Sequence, residues 1–558
     1  MFQTSAAKLI ITVIALGLLA TAAPGPKDIG SSKVFIAQNW TFDFGQELPP
    51  TFTFKTFGFQ TTAAQNARME TKNGYPYTTL KDSLGNLLLS YTFSPASTVE
   101  KVSLRSFIDV DYSAPQPADA TTAAAFLKGG PLSEYNAEMY AKAREVNGWE
   151  NGSLTLAQYV KLVEWVHRRL TYDGFGFGNT VMNATWVFEN RVGTCDEYSH
   201  LLVAMLRSLQ TPSKFVAGYV CSTQCTQKEN WGPHAWVEAL IDGKWVASDP
   251  TFNEAILIDA THVKFAEGRD QDDVKEQLSA IAFNFPIKDV RLNRTAEVSL
   301  DDWKPFTGIF DAQLIVPEKT VGENSIETIA IRLTNLKTQP VAVPLSLVVP
   351  KELEIRSDAE ALVFLPPSGS ANYSWNVVFP QDLRAGFVYN FTIDVSTLGK
   401  TLTQNILAKK GGDTRELESL RINEIDATQL SNGVGVLIEI ENAGNTPIAN
   451  ARVQVASNAG NASSTIALAA GEKKKVQVQL ANPPEGSAIT GTIAIILDNK
   501  QAVRPFNIRL IAPTIPQNES QNEFGGLTGE QTVLAAAVAT VLILALALFY
   551  LGFKAKAA

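Results

Sequence analysis

Residues 193–210 read GTCDEYSHLLVAMLRSLQ, and residues 232–251 read GPHAWVEALIDGKWVASDPT. In the first stretch Thr194-Cys195-Asp196-Glu197 fits a capping box, with Thr194 at the N-cap and Glu197 three residues on. Leu201, Leu202, Met205, Leu206 and Leu209 then extend a helix to about Gln210 with one apolar face. Cys195 is its first residue, where the helix dipole favours a thiolate while Asp196 and Glu197 oppose one. The free N–H groups of that first turn suit an oxyanion.

The second stretch predicts a hairpin. His234 to Ile241 alternates as a strand, Asp242-Gly243 is a two-residue turn signal, and Lys244 to Asp249 returns. Counting pairs outward from the turn sets Asp249 opposite Trp236. His234 lies two residues from Trp236 and shares its face. His234 and Asp249 are then diagonal neighbours within hydrogen-bond reach. A thiol at a helix N-terminus, with a histidine and a carboxylate on one hairpin face, is the arrangement that thiol acyl transfer needs. Each residue alone has a bland reading: a lone cysteine is usually a small buried hydrophobe.

These residues resemble the transglutaminase-like superfamily, a papain-like α+β fold. The resemblance rests on Gly193-Thr194-Cys195-Asp196-Glu197, His234-Ala235-Trp236-Val237-Glu238 and Asp249-Pro250-Thr251. Ala184-Thr185-Trp186 and Asn190-Arg191 are similar to the family's lead-in, and Asp259-Ala260-Thr261-His262 to a continuation seen in archaeal members. It covers roughly residues 130–270. It implies Cys195 as nucleophile, His234 as base and Asp249 as the base's orienter, acting on amide bonds of proteins or peptides. It implies no metal and no organic cofactor, and it leaves hydrolysis and transamidation open. His167 and His200 match no family role and are expected to be structural.

The 558 residues are 45% hydrophobic and 18% charged, enough for several packed domains. A net charge of −9, with no basic stripe, excludes nucleic acid as an obvious partner. Of the three cysteines, Cys221 and Cys225 are spaced to close a small disulfide loop, which suits an oxidising compartment and leaves Cys195 free. Two thiols without a second ligand pair do not make a zinc site. The polar loop Ser222 to Trp231 lies beside His234, where it would shape substrate access.

The remaining chain divides by pattern. Residues 1–23 read as a signal peptide, with Lys8 before an apolar run. Residues 27–120 are expected to be a β-rich domain, with Phe42, Phe44, Phe52, Phe54 and Phe57 in its core. Residues 121–300 are the expected catalytic domain, with helices over Leu132–Val146 and from Ser153 or Thr155 to Leu170. Gly174 to Gly178 is a glycine-rich loop but no phosphate cradle. Residues 301–410 and 411–511 are expected to be immunoglobulin-like β-sandwiches. Ile331 to Asn335 followed by Pro340 repeats as Ile438 to Asn442 followed by Pro447. With no aromatic cluster or acidic calcium motif, their expected role is that of a spacer.

Residues 512–531 read as a linker and 532–553 as a transmembrane helix, an uncharged run long enough to cross a bilayer. Residues 554–558, with Lys554 and Lys556, form a cytoplasmic tail. The expectation is a single-pass, outward-facing cell-membrane protein carrying a thiol enzyme, with hydrolysis mildly favoured. The rival is a non-catalytic surface or adhesion protein that keeps the fold as a scaffold.

Overall fold

In the computed structural model the described residues are 25–509, apart from 73–74, 113–115, 118–122, 175–179, 282–286, 288–289, 431–432, 481–487 and 498–499. The expected signal peptide, linker, transmembrane helix and tail, and most of the Gly174–Gly178 loop, lie outside them. Among the described residues no helix is long and apolar enough to cross a membrane.

The N-terminal segment forms two facing sheets. Ile29–Asp43 is flanked by Val99–Val110 and Arg291–Pro305. Thr51–Phe57 is flanked by Leu87–Phe93 and Gln277–Ile281. The alternating phenylalanines meet between the sheets, with Phe44 on Phe52 at 4.9 Å and Phe42 on Phe54 at 5.0 Å. This core matches the sequence reading, but the boundary does not. The strands Gln277–Ile281 and Arg291–Pro305, assigned by position to the catalytic segment, pair with N-terminal strands instead. The chain leaves this β unit, builds the central segment, and returns to complete both sheets.

Among the described residues the central segment has four α-helices: α1 (Ala137–Asn147), α2 (Leu156–Arg169), α3 (Ala184–Asn190) and α4 (Cys195–Ser208). Asn136 caps α1, accepting from the Met139 N–H at 2.9 Å, so this helix starts later than the apolar pattern suggested. Thr155 caps α2 through Gln158, as read. The sheet runs in the order Glu254–Ala255, Lys244–Asp249, Trp231–Ile241, Ser213–Cys221, Val263–Gly268. Helix α4 lies between this sheet and the other helices. It is therefore buried on every side, with Leu201, Leu202, Met205 and Leu206 wholly enclosed against Val237 and Ala239. Even Arg207 is buried there, donating to Phe126 O, Ser133 Oγ, Ser213 O and Arg269 O at 2.6–2.8 Å.

Two further double-sheet units follow, of four and five strands and then of three and four. The sequence repeat has a structural meaning. Asn335 donates its amide to Gln339 O, Leu365 O and Pro366 O while its oxygen accepts from Lys337 N. Asn442 does the same toward Thr446 O, Leu468 O and Ala469 O, accepting from Gly444 N. Each asparagine ties the end of a strand to the turn that follows the next hairpin. These units grip helices α1 and α2. Glu360 meets His167 at 2.7 Å, the Leu362 N–H donates to Glu164 at 3.2 Å, and Arg504 reaches Glu145 at 3.3 Å. Leu362 and Ala342 join the hydrophobic core around α4.

Asn335→Ala and Asn442→Ala each strand several buried carbonyls. Each is expected to cost its own unit on the order of 2–3 kcal/mol, read as a lowered transition in scanning calorimetry.

Candidate functional site

Cys195 opens α4, and the residues around it explain why it sits still. Glu197 is buried with its carboxylate fully engaged. Its Oε2 accepts from the Thr194 N–H (2.9 Å) and hydroxyl (2.8 Å), and its Oε1 from the Met182 N–H (2.9 Å). A Cβ at Gly193 would fall 2.3 Å from the Glu197 Cβ, so only glycine permits this close turn. Cys195 itself is partly exposed and packs against Phe215, Ala217 and Ala235. The sequence left open whether dipole or acids win at the thiol. Burial and then the Asp196 charge push it up, against a hydrogen bond from the Ala235 N–H that favours the thiolate. Asp196 lies 3.7 Å from Sγ and is held by the Gln271 amide at 2.9 Å. Burial and the Asp196 charge thus both favour the thiol over the thiolate.

The hairpin supplies the other two residues. Asp242 and Gly243 both have positive φ (50° and 72°), the turn that matches strand twist. Pairing runs from Ile241↔Lys244 to Val237↔Ser248, so the next step outward sets Trp236 across from Asp249. His234 Nε2 then meets Asp249 Oδ2 at 2.7 Å. Asp249 is wholly buried. Its Oδ1 accepts from the N–H groups of Thr251 (2.7 Å) and Phe252 (3.2 Å). Burial would raise its pKa, but the charges and hydrogen bonds of His234 and His262 more than offset this and hold it far below the carboxylate range. The His234 ring stacks on Phe252 at 5.0 Å. With Nε2 committed to Asp249, only Nδ1 is left to exchange a proton elsewhere.

Cys195 and His234 line one cleft of about 800 Å³, with Asp249 behind the histidine. The central sheet contributes Tyr219, Trp231 and Phe265 to its walls. The N-terminal β unit contributes Trp40, Phe57 and Arg294. Cys221 and Cys225 are disulfide-bonded. Cys225 O accepts from the Trp231 indole at 2.9 Å, so this small loop fixes one wall of the cleft.

The structure also assembles residues that the sequence reading passed over. His262, quoted there without a role, reaches Asp249 Oδ2 through Nε2 at 3.1 Å. Asp259 and Glu254 lie beside it, all wholly buried. Glu254 is pushed up to about 8, first by burial and then by Asp259. Glu238 accepts twice from Lys264 (3.0 and 2.9 Å), and Glu267 takes Lys214 at 2.8 Å, a buried charge network under the sheet. No single residue announces these contacts; the Asp259-x-x-His262 run, which begins eight residues after Thr251, was the one available signal. His167 Nδ1 lies 3.1 Å from Pro250 O and its Nε2 2.7 Å from Glu360 Oε2, and His200, pushed down to about 3 by burial, stacks on Phe215. Neither lines the cleft. His234, Asp249 and His262, and Glu254, Asp259 and His262, each bring one potential metal-ligand atom within 4.8 Å of the others. Both imidazole Nε2 atoms are engaged on Asp249 Oδ2, so a cation in the first triplet would have to break both bonds.

Residues 140–250 match the transglutaminase-like superfamily. No curated protein matches the chain. Among solved structures, a candidate cysteine protease from Cytophaga hutchinsonii overlaps 50% of this chain and 93% of its own, at 17% identity and a TM-score of 0.37. A red sea bream transglutaminase overlaps 85% and 95%, at 10% identity and a TM-score of 0.17. The CupB2 chaperone of Pseudomonas aeruginosa overlaps 35% and 100%, at 10% and 0.13.

Two expectations follow from the charges. Asp196→Asn removes an anion beside Sγ, which lowers the thiol pKa. Iodoacetamide is expected to alkylate Cys195 at pH 7 on the order of tenfold faster in that variant. Between the ordinary glutamate pKa and about 8, folded Glu254 keeps a proton that the unfolded chain releases. Stability therefore falls as pH rises through that window, at up to about 1.4 kcal/mol per unit. Glu254→Gln is expected to remove this slope, measured as denaturant-dependent exposure of Cys195 at pH 5 and pH 8.

Proposed function

Since the chain carries a transglutaminase-like domain, we propose that it is a thiol enzyme acting on amide bonds of proteins or peptides, anchored outside the cell membrane. The observation that carries this reading is that Cys195 and His234 share one cleft while Asp249 backs the histidine at 2.7 Å. In the proposed reaction Sγ attacks the amide carbonyl carbon as His234 Nδ1 takes the thiol proton. The tetrahedral oxyanion forms beside the N-terminal N–H groups of α4. His234 returns the proton to the leaving amine, and a thioester remains on Cys195. Water, deprotonated by His234, then releases the acid; an amine in its place would give a cross-link. Hydrolysis is favoured because the cleft is open enough for water.

Burial and Asp196 both raise the proton affinity of Cys195, so the proposed reaction has His234 take the thiol proton as Sγ attacks. The same observation favours the second reading, a scaffold with an idle thiol. The anchor at 532–553, the signal peptide at 1–23, an archaeal surface origin and immunoglobulin-like spacing of the last two β units belong to this proposal. They rest on the sequence pattern.

The test is mass spectrometry of a peptide library incubated with the protein. A cut, loss of ammonia or a cross-link is expected, abolished by Cys195→Ala and reduced on the order of a thousandfold or more by His234→Ala. Asp249→Ala is expected to lower turnover strongly while leaving the cleft intact. No product from the wild type, with Cys195 unreactive to small alkylating agents at any pH, would leave the scaffold reading.

A further inference from the structure

Asp249 serves two imidazoles. Its Oδ2 faces His234 Nε2 at 2.7 Å and His262 Nε2 at 3.1 Å. On the far side of His262, Nδ1 lies 3.0 Å from the Asp259 carbonyl oxygen and 3.4 Å from Asp259 Oδ1. A carbonyl and a carboxylate oxygen only accept hydrogen bonds. Both nitrogens of His262 therefore carry hydrogens, and the ring is an imidazolium. It has no contact with solvent, and neither do Asp249, Asp259 or Glu254. The Trp236 ring (5.1 Å) and the Phe252 ring (6.0 Å) wall it in edge-on, so its orientation is fixed.

We propose that His262 is a positioning residue for the Cys195–His234–Asp249 group, a buried cation that locks Asp249 from behind and sets the proton affinity of His234. This rests on the catalytic reading above only for its effect on turnover; the electrostatic coupling stands on geometry alone. The two rings lie 5.9 Å apart between centroids, across one carboxylate oxygen. An anion that held His234 alone would bind its proton tightly after Cys195 gave it up. Shared with a second cation, Asp249 holds it less tightly, and the proton is more readily passed to the leaving amine.

The other charges around His262 fit this role. Asp259 lies on its own loop, Asp249 on the hairpin, and Glu254 on the short strand between them. Lys27, from the turn before the first strand, acts on Glu254, and Tyr112 faces Asp259. Burial alone would lower the proton affinity of His262, but Asp259 and Asp249 more than offset it and raise it well above the ordinary value. A proton on Glu254 relieves its repulsion with Asp259, which leaves Asp259 and Asp249 as the anions opposite His262.

The chain has four histidines, few enough for selective ¹⁵N-histidine labelling and assignment by substitution. His262→Gln keeps an amide N–H donor toward Asp249 but removes the charge. In that variant the His234 titration is expected to move up by on the order of one pH unit. The acidic limb of the Cys195 alkylation profile is expected to move with it. His262→Ala, which loses donor and charge, is expected to move it further or broaden it as Asp249 loosens. A folded His262→Gln protein whose His234 titrates as in the wild type would overturn the proposal. If the variant does not fold, the wild type decides. Two protonated ring nitrogens on His262 at pH 7.5 support the proposal, and a neutral tautomer overturns it. A shifted His234 in a protein without turnover would sink the enzyme reading and keep the coupling; normal turnover with an unmoved His234 would do the reverse.

Discussion

A carboxylate with no access to water must be paid for in hydrogen bonds, and Asp249 is such a carboxylate. Two backbone N–H groups and two imidazoles surround it. They come from three places: both N–H groups from the Pro250 turn, one imidazole from the hairpin strand, and the other from the loop that ends at His262. Satisfying Asp249 therefore fixes three pieces of backbone relative to one another. His234 is aimed into the cleft as a result, and Cys195 is brought opposite by the burial of α4.

The same logic repeats around the site. Glu197 is spent on Thr194 and Met182, which holds the first turn of α4 and the loop before α3 in place. Glu238, the last residue of the His-Ala-Trp-x-Glu run, is spent on Lys264. The acidic residues nearest the motif are thus engaged by lysines or N–H groups. Asp196 is the exception, since it stands against the sulfur and opposes its ionisation.

The cleft is a product of two chain segments that are far apart. Its far wall comes from the N-terminal β unit, which is completed only when residues 277–305 return to it. Substrate selection by this wall would then depend on a domain outside the matched residues 140–250. On the opposite side, the last two β units hold α1 and α2 by ion pairs and by Leu362. The helices that support α4 are therefore braced from behind.

Much of this was legible in the chain. The Thr194–Glu197 cap, the Asp242-Gly243 turn and the period-2 alternation are local features, and local sterics and hydrogen bonding decide them. They sufficed to place Cys195 at a helix start and to count His234 onto the face of Asp249. The asparagine repeat at 335 and 442 was visible as a pattern, though not as a clasp. What the tertiary structure alone decided is whatever depends on distance in sequence. The return of Arg291–Pro305 to Ile29–Asp43 is such a case, because any alternating strand can pair with any edge. The second imidazole on Asp249 is another, because a histidine in a loop has no periodicity to reveal its direction. The balance at Cys195 is the third. Helix dipole and neighbouring acids could be named from the sequence, but the burial that tips them exists only once the domain has closed around the thiol.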